Sequence, residues 1–168
     1  DAQDRIAVGS KSFTESAILG HMLVSLAGDA GADAELKTFP GSSVAFAALR
    51  SGDIVAYPEY TGTLTRELLS EQGLRTDDEL RAALAEMGLA MTGPIGFNNT
   101  YAIGVRRDDA ATLGLRTIGD LAAHPSLRLA FSNEFMNRGD GWPGLRDHYS
   151  LPNPARGIEH ALAYRALA

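Results

Sequence analysis

The sequence contains no cysteine, which rules out disulfides and thiolate metal sites. That absence leaves the compartment open, because exported chains also do without disulfides. Basic residues are in the minority, 15 Lys and Arg against 21 Asp and Glu, for a net charge of −6. A nucleic-acid binder would carry a basic footprint, and an anionic membrane surface would call for a polybasic patch. Neither is present. No apolar run approaches the roughly 18 to 20 residues of a membrane span. The opening stretch, DAQDRIAVGS, has no basic-then-apolar leader. The expectation is a chain that never carried a signal peptide, or the form left after its removal. The four histidines, His21, His124, His148 and His160, show neither HExxH nor clustered ligand spacing. The GSKSFTES loop after the first strand carries no GxGxxG, and GxxxxGK[ST] and GxSxG are missing, so that loop does not call for a nucleotide or another cofactor, and nothing calls for a nucleophile elbow. The carboxylates follow helix faces and turns rather than forming an acid–base pair. Together these absences weigh against an enzyme.

What remains is a chain of 168 residues, 45% of them hydrophobic. That length suits one ordinary domain or two small lobes with a packed core. Residues 5–10 read as a short apolar strand. A helix follows, with Ile18, Leu19, Met22, Leu23 and Leu26 at helical spacing, Thr14 as its N-cap and Gly28 or Gly31 as its stop. Residues 34–39 read as a second strand. A short helix comes next, capped by Ser42 or Ser43 and closed by Gly52, and then a third strand over 54–60. Residues 76–88 form a helix with an acidic first turn, which suits its dipole. The stretch from Ala90 to Asp109 is extended, with Gly, Pro and Asn as punctuation. Beyond it a thinner block has helices at 117–124, 141–149 and 157–168 and one clear strand at 127–132. Strands alternating with helices predict a mostly parallel sheet. The expected organisation is two α/β lobes, residues 1–104 and a partial second lobe at 105–168, joined near 103–108.

In open α/β sheets ligands gather beyond the carboxyl ends of strands. Three segments sit at such ends, GSKSFTES, YPEYTGT and SNEFMNRGDG, and GFNNTYA lies beside the crossover. Lys11 stands between a strand and a helix N-terminus, where it serves either as an anion contact or as a solvated loop lysine. Tyr57 and Tyr60 are either core residues or ring faces for a ligand. Thr61 and Thr63 are helix caps by default. Asn99 has the default role of a turn residue. Tyr101 begins an apolar stretch. Glu134 and Arg138, four apart, make either a weak surface pair or a carboxylate clamp, which the planar guanidinium suits.

In this order, VGSKSFTES, VAFAALRSGDI, YPEYTGT, GFNNTYAIGVRRDDA and the EF..R.DG.PGL pattern resemble one family over essentially the whole chain. It is that of the substrate-binding proteins of osmoprotectant ABC importers, the glycine betaine, carnitine, choline and proline betaine group. The resemblance implies an α/β fold of the type II periplasmic-binding-protein class, two lobes with mostly parallel sheets and a hinge crossover. It implies an exported protein, periplasmic or at the outer face of the cytoplasmic membrane, that hands its solute to a membrane permease. It also implies a quaternary ammonium ligand in an aromatic box. Such a group has no N–H to donate and is held by ring faces through cation–π attraction. By motif position Tyr60 and Tyr101 are box walls. Tyr57 is a less secure wall, since odd strand spacing turns it to the other face. Asn99 stands where some members carry an aspartate. Lys11, Thr63 and Arg138 match the carboxylate contacts, and Glu134 either adds charge near the cation or orients Arg138. Two unpaired buried cations would oppose a cationic ligand. The set is therefore expected to favour a zwitterion, such as glycine betaine, proline betaine, carnitine or ergothioneine, over choline.

The family pattern runs about 100 residues further, through another box tyrosine and a return to the first lobe, so the second lobe and return segment are expected to be incomplete. The readings this leaves open are a fragment, a truncated chain without binding, or a homodimer completed by segment exchange. A sensing or permease-fused binding domain is the other role weighed.

Overall fold

The structure, a computed structural model, describes residues 5–168. Residues 1–4, which open the stretch read above for a leader, lie outside it. The chain divides between Phe97 and Asn98 into two compact units.

The first unit is built on a parallel pair, β1 (Ile6–Lys11) and β2 (Ala34–Phe39), in register from Ile6 opposite Ala34 to Lys11 opposite Phe39. Parallel neighbours need a crossover, and α1 (Thr14–Asp29) supplies it. Thr14 is not the N-cap: Phe13 holds that position in extended conformation, without a side-chain cap bond. The apolar positions of α1 also face differently from expectation. Its buried residues are Ser16 and Gly20, and Ile18, Met22 and Leu26 stay exposed. The helix lies so near the sheet that only small residues fit between. A Cβ on Gly20 would come within 2.7 Å of Leu36 Cδ1.

The next helix, α2 (Ser42–Ser51), starts from Gly41 rather than from a serine cap and ends at Gly52, whose φ of +83° suits a residue without Cβ. The expected third strand shrinks to one parallel bridge, Ala56 to Val8. Pro58 has no N–H for a ladder, which explains why pairing does not continue. After Tyr60 the chain turns into α3 (Thr61–Thr63) and directly into a π-helical turn, Leu64–Leu68. Then α4 (Asp77–Glu86) follows. Phe46, Leu64, Leu69, Leu80, Ala83 and Leu84 form one core, and Ala7, Ala48 and Ile54 another; Tyr57 packs on both.

The second unit has its own parallel pair, β3 (Leu129–Ser132) and β4 (Ala155–Ile158). A helix not foreseen in the sequence, α5 (Arg107–Leu113), precedes a 3-10 turn at Ile118–Ala123. Another unforeseen one, α6 (Asn133–Asn137), leaves β3 directly; Ser132 Oγ caps it by accepting the Phe135 N–H at 3.2 Å. Then come α7 (Trp142–Tyr149), with Pro143 in its first turn, and α8 (His160–Leu167). Leu121, Phe135, Trp142 and Leu151 form the core. Asn153 is buried beside it and donates to the carbonyls of His124 and Leu127, which fastens the turn before β3.

Two helix starts carry the same device. Thr76 and Glu79 form a capping box on α4, and Thr117 and Asp120 form one on the 3-10 turn. Backbone N–H groups of Arg75 and Thr76 hold the Glu79 carboxyl below its ordinary value of 4.5. Those of Arg116 and Thr117 hold Asp120 below 3.8. A carboxylate with a depressed folded pKa contributes stability above its unfolded pKa and loses it as pH falls through the folded one. Acidification below these ordinary values is therefore expected to fray both starts. Loss of amide-exchange protection at Arg75, Thr76, Arg116 and Thr117, ahead of Leu80 in the core, would report it. Equal protection of both sets throughout the titration would contradict it.

Candidate functional site

In the first unit the polar residues collect at the carboxyl end of β1. Lys11 closes the strand, and its backbone N–H donates to Ser16 Oγ at 2.8 Å. Its side chain is only 3% exposed. The ammonium donates to Ser42 Oγ at 3.0 Å and to Glu59 Oε1 at 2.5 Å. It also lies 4.9 Å from the Tyr60 ring centroid and 5.5 Å from that of Phe13. Those two rings stack with centroids 6.3 Å apart. Glu59 is 7% exposed at its side chain, and the same Oε1 accepts the Tyr60 backbone N–H at 3.0 Å. The Tyr60 hydroxyl donates to Glu15 Oε1. Tyr60 is thus fixed at its backbone by one carboxylate and at its hydroxyl by another, with one ring face toward an ammonium.

Thr63 is buried in the turn after Tyr60. Neither it nor Thr61 caps that turn, because Tyr60 holds the N-cap position and makes no side-chain cap bond. Tyr57 lies among the apolar side chains of both cores.

In the second unit the polar residues follow β3. Arg138 ends α6, with its side chain 6% exposed. Its Nε and Nη2 donate to the two carboxylate oxygens of Asp140, each at 2.8 Å. Glu134 stands further off, 3.8 Å from Nη1. The hydrogen bonds from Asp140 raise the Arg138 pKa far above the ordinary guanidinium value against the opposing effect of burial, with the charges of Asp140, Tyr101 and Glu134 adding to the rise. Arg138 therefore stays charged at any pH the fold survives. Its guanidinium carbon lies 5.8 Å from the Tyr101 ring centroid. Tyr101 is 55% exposed and leans on buried Phe135 at 4.7 Å, which meets Phe131 at 5.1 Å, which in turn stacks on Trp142 at 5.2 Å. Asn99 is exposed, two residues before Tyr101.

The structure thus joins Lys11 to Tyr60, and Arg138 to Tyr101 and Glu134. It adds four residues that sequence reasoning passed over, Phe13, Glu15, Glu59 and Asp140. Glu59 and Asp140 change the electrostatics. The expectation of two unpaired cations does not hold, because Lys11 is neutralised by Glu59 and Arg138 by Asp140. Each cluster has two carboxylates against one cation: Glu15 and Glu59 with Lys11, and Glu134 and Asp140 with Arg138. One signal did exist in the sequence: a buried lysine needs a counter-ion, and Glu59 sits beside Tyr60 in YPEYTGT.

Residues 4–168 match the family described as the substrate binding domain of ABC-type glycine betaine transport system. A glycine-betaine-binding protein of Pseudomonas aeruginosa is 30% identical over 98% of this chain. An ergothioneine transport permease/ergothioneine binding protein of Helicobacter pylori is 35% identical over 61% of it. A solved glycine betaine/carnitine/choline ABC transporter structure superposes with a TM-score of 0.58 and 29% identity over 99% of this chain. The chain spans 58% of the length of the Pseudomonas relative, 19% of the Helicobacter one and 65% of the solved chain. The solved likeness extends to the α/β build with its parallel strands. This is a family of binding domains rather than enzymes, and with a match running from residue 4 to residue 168 the chain belongs to it.

Proposed function

We propose that the chain captures a quaternary ammonium compatible solute of the glycine betaine or proline betaine type and delivers it to an ABC permease. Delivery would take place in the periplasm or at the outer face of the cytoplasmic membrane. The finer fold reading is the type II periplasmic-binding-protein class, with residues 1–104 and 105–168 as its lobes. The observation that carries the ligand reading is Tyr60. Its ring is braced by Phe13 and Glu15 and already lies 4.9 Å from an ammonium, which is cation–π distance. Tyr101 offers the second ring, half out of the surface and backed by Phe135. Tyr57, packed on both cores, is the less secure wall. Asn99 and Glu134 supply carbonyl dipole and charge toward the cation. For the ligand carboxylate the first unit offers Thr63 and the third N–H of Lys11, whose other two go to Ser42 and Glu59 among the described residues, and the second unit offers Arg138.

Calorimetry against glycine betaine, proline betaine, carnitine, ergothioneine and choline tests this. A desolvated cation–π contact is worth about 2 kcal/mol, so Tyr60→Ala and Tyr101→Ala are each expected to weaken binding by roughly 30-fold. Tyr60→Phe keeps the ring, loses the Glu15 bond, and is expected to cost only a few-fold. Unchanged affinity in both alanine variants would remove the box. The Helicobacter relative favours a second reading, a permease-fused or sensing domain for ergothioneine, for which ergothioneine would bind tightest of the five.

A further inference from the structure

We propose that Glu59 is a specificity-determining residue, one that sets how strongly this site prefers a zwitterion to a plain cation. The inference rests on the ligand reading above. Lys11 and Glu59 are both buried and meet at 2.5 Å, so the first cluster meets a ligand with the ammonium's charge already cancelled. The other oxygen, Glu59 Oε2, is buried with no hydrogen-bond partner among the described residues. Its share of the negative charge is therefore not dissipated by donors, and in a poorly solvated setting it acts at full strength on a nearby cation. Tyr60 is tied to the same carboxylate through its backbone N–H, and its ring faces Lys11. Any cation held on that ring sits close to the pair and responds to its net charge.

The consequence is directional. With Glu59 ionised, the pair is neutral and tolerates a cationic ligand. Without it, Lys11 loses the carboxylate in direct contact with it, and Glu15 stays on the Tyr60 hydroxyl, so the buried ammonium repels choline and accepts a ligand carboxylate as its replacement partner. Glu59→Gln keeps the side-chain shape and an acceptor for both the Lys11 ammonium and the Tyr60 N–H, removes the charge, and puts an amide NH2 where Oε2 stood.

The experiment is calorimetric titration of the wild-type chain and Glu59→Gln with glycine betaine and with choline. The expected result is that the ratio of the choline Kd to the glycine betaine Kd rises at least tenfold in the variant. A ratio that stays constant while both affinities fall together would make Glu59 a brace for Tyr60 and nothing more. A ratio that falls would also overturn the proposal. Should Glu59→Gln not fold, Glu59→Asp takes its place. Its carboxylate is drawn back from Lys11 by one methylene, and the ratio is expected to rise two- to threefold; an unchanged ratio sinks the inference. If the wild-type chain binds neither ligand, the reading beneath fails and takes this inference with it. If the wild type binds and the ratio does not rise, only the inference fails.

Discussion

Asp140→Ala is expected to destabilise the second unit by about 3 kcal/mol, the low end of what breaking a buried ion pair costs. Arg138 is buried and cannot lose its charge, so removal of its partner strands a guanidinium. Two 2.8 Å hydrogen bonds go with it. The figure lies at the low end because the Asp140 side chain is itself 31% exposed, so water softens the loss, and Glu134 remains at 3.8 Å. Asp140→Asn retains an acceptor and is expected to recover part of the loss. Calorimetric unfolding of the three chains gives the order wild type, asparagine, alanine. An alanine variant as stable as wild type would show that Asp140 holds Arg138 in place without stabilising the fold. Because Arg138 also lies against the Tyr101 ring, the alanine variant should lose affinity for a betaine as well. Choline should lose more than a betaine, because the guanidinium left without Asp140 repels a plain cation and accepts a carboxylate, as Lys11 does without Glu59.

Trp142→Ala is expected to cost more, about 3 to 5 kcal/mol for a large buried aromatic. Trp142 is 6% exposed and belongs to the second core. It also anchors the file of rings that ends at Tyr101. Without it Phe131 loses its stacking partner, and Phe135 loses the side chain that holds Phe131 against it. Tyr101 leans on Phe135, so its order should fall with the ladder. Two readouts separate these effects. Denaturation measures the lost packing, and the affinity that remains in conditions where the variant is still folded measures the loosened wall. Trp142→Phe refills part of the space and should restore more affinity than its stability alone would suggest. If Trp142→Ala destabilised the unit without touching affinity, Tyr101 would be positioned by its own loop and not by the ladder.

The sequence showed the regular parts of the fold plainly. β1, β2, α2 and α4 fall where their apolar spacing and breakers put them, because each is long enough for a period to repeat. What it hid is shorter or depends on folding. The helices at 107–113 and 133–137 span seven and five residues, too few turns for a period to declare itself. β4, ARGI, is four residues with an arginine and a glycine in the middle, and it exists because β3 offers it a register. Spacing also misled over Arg138. The i,i+4 position made Glu134 the obvious partner, but the chain bends after α6 and brings Asp140 closer. Glu59 lies 48 residues from Lys11, and only the fold makes them neighbours. The aromatic and cationic positions could be named from motif and chemistry. Their counter-ions could not, since those follow from which loops the fold brings together.

The single tryptophan has one more consequence. It lies in the second unit, while the first contains only the tyrosines Tyr57 and Tyr60. Light at the red edge of indole absorption, where tyrosine is transparent, therefore excites the second unit alone. Emission from Trp142 becomes a private optical channel for that unit, and circular dichroism follows the whole chain. If the two units melt separately, the two signals will part, with no label added and no residue changed.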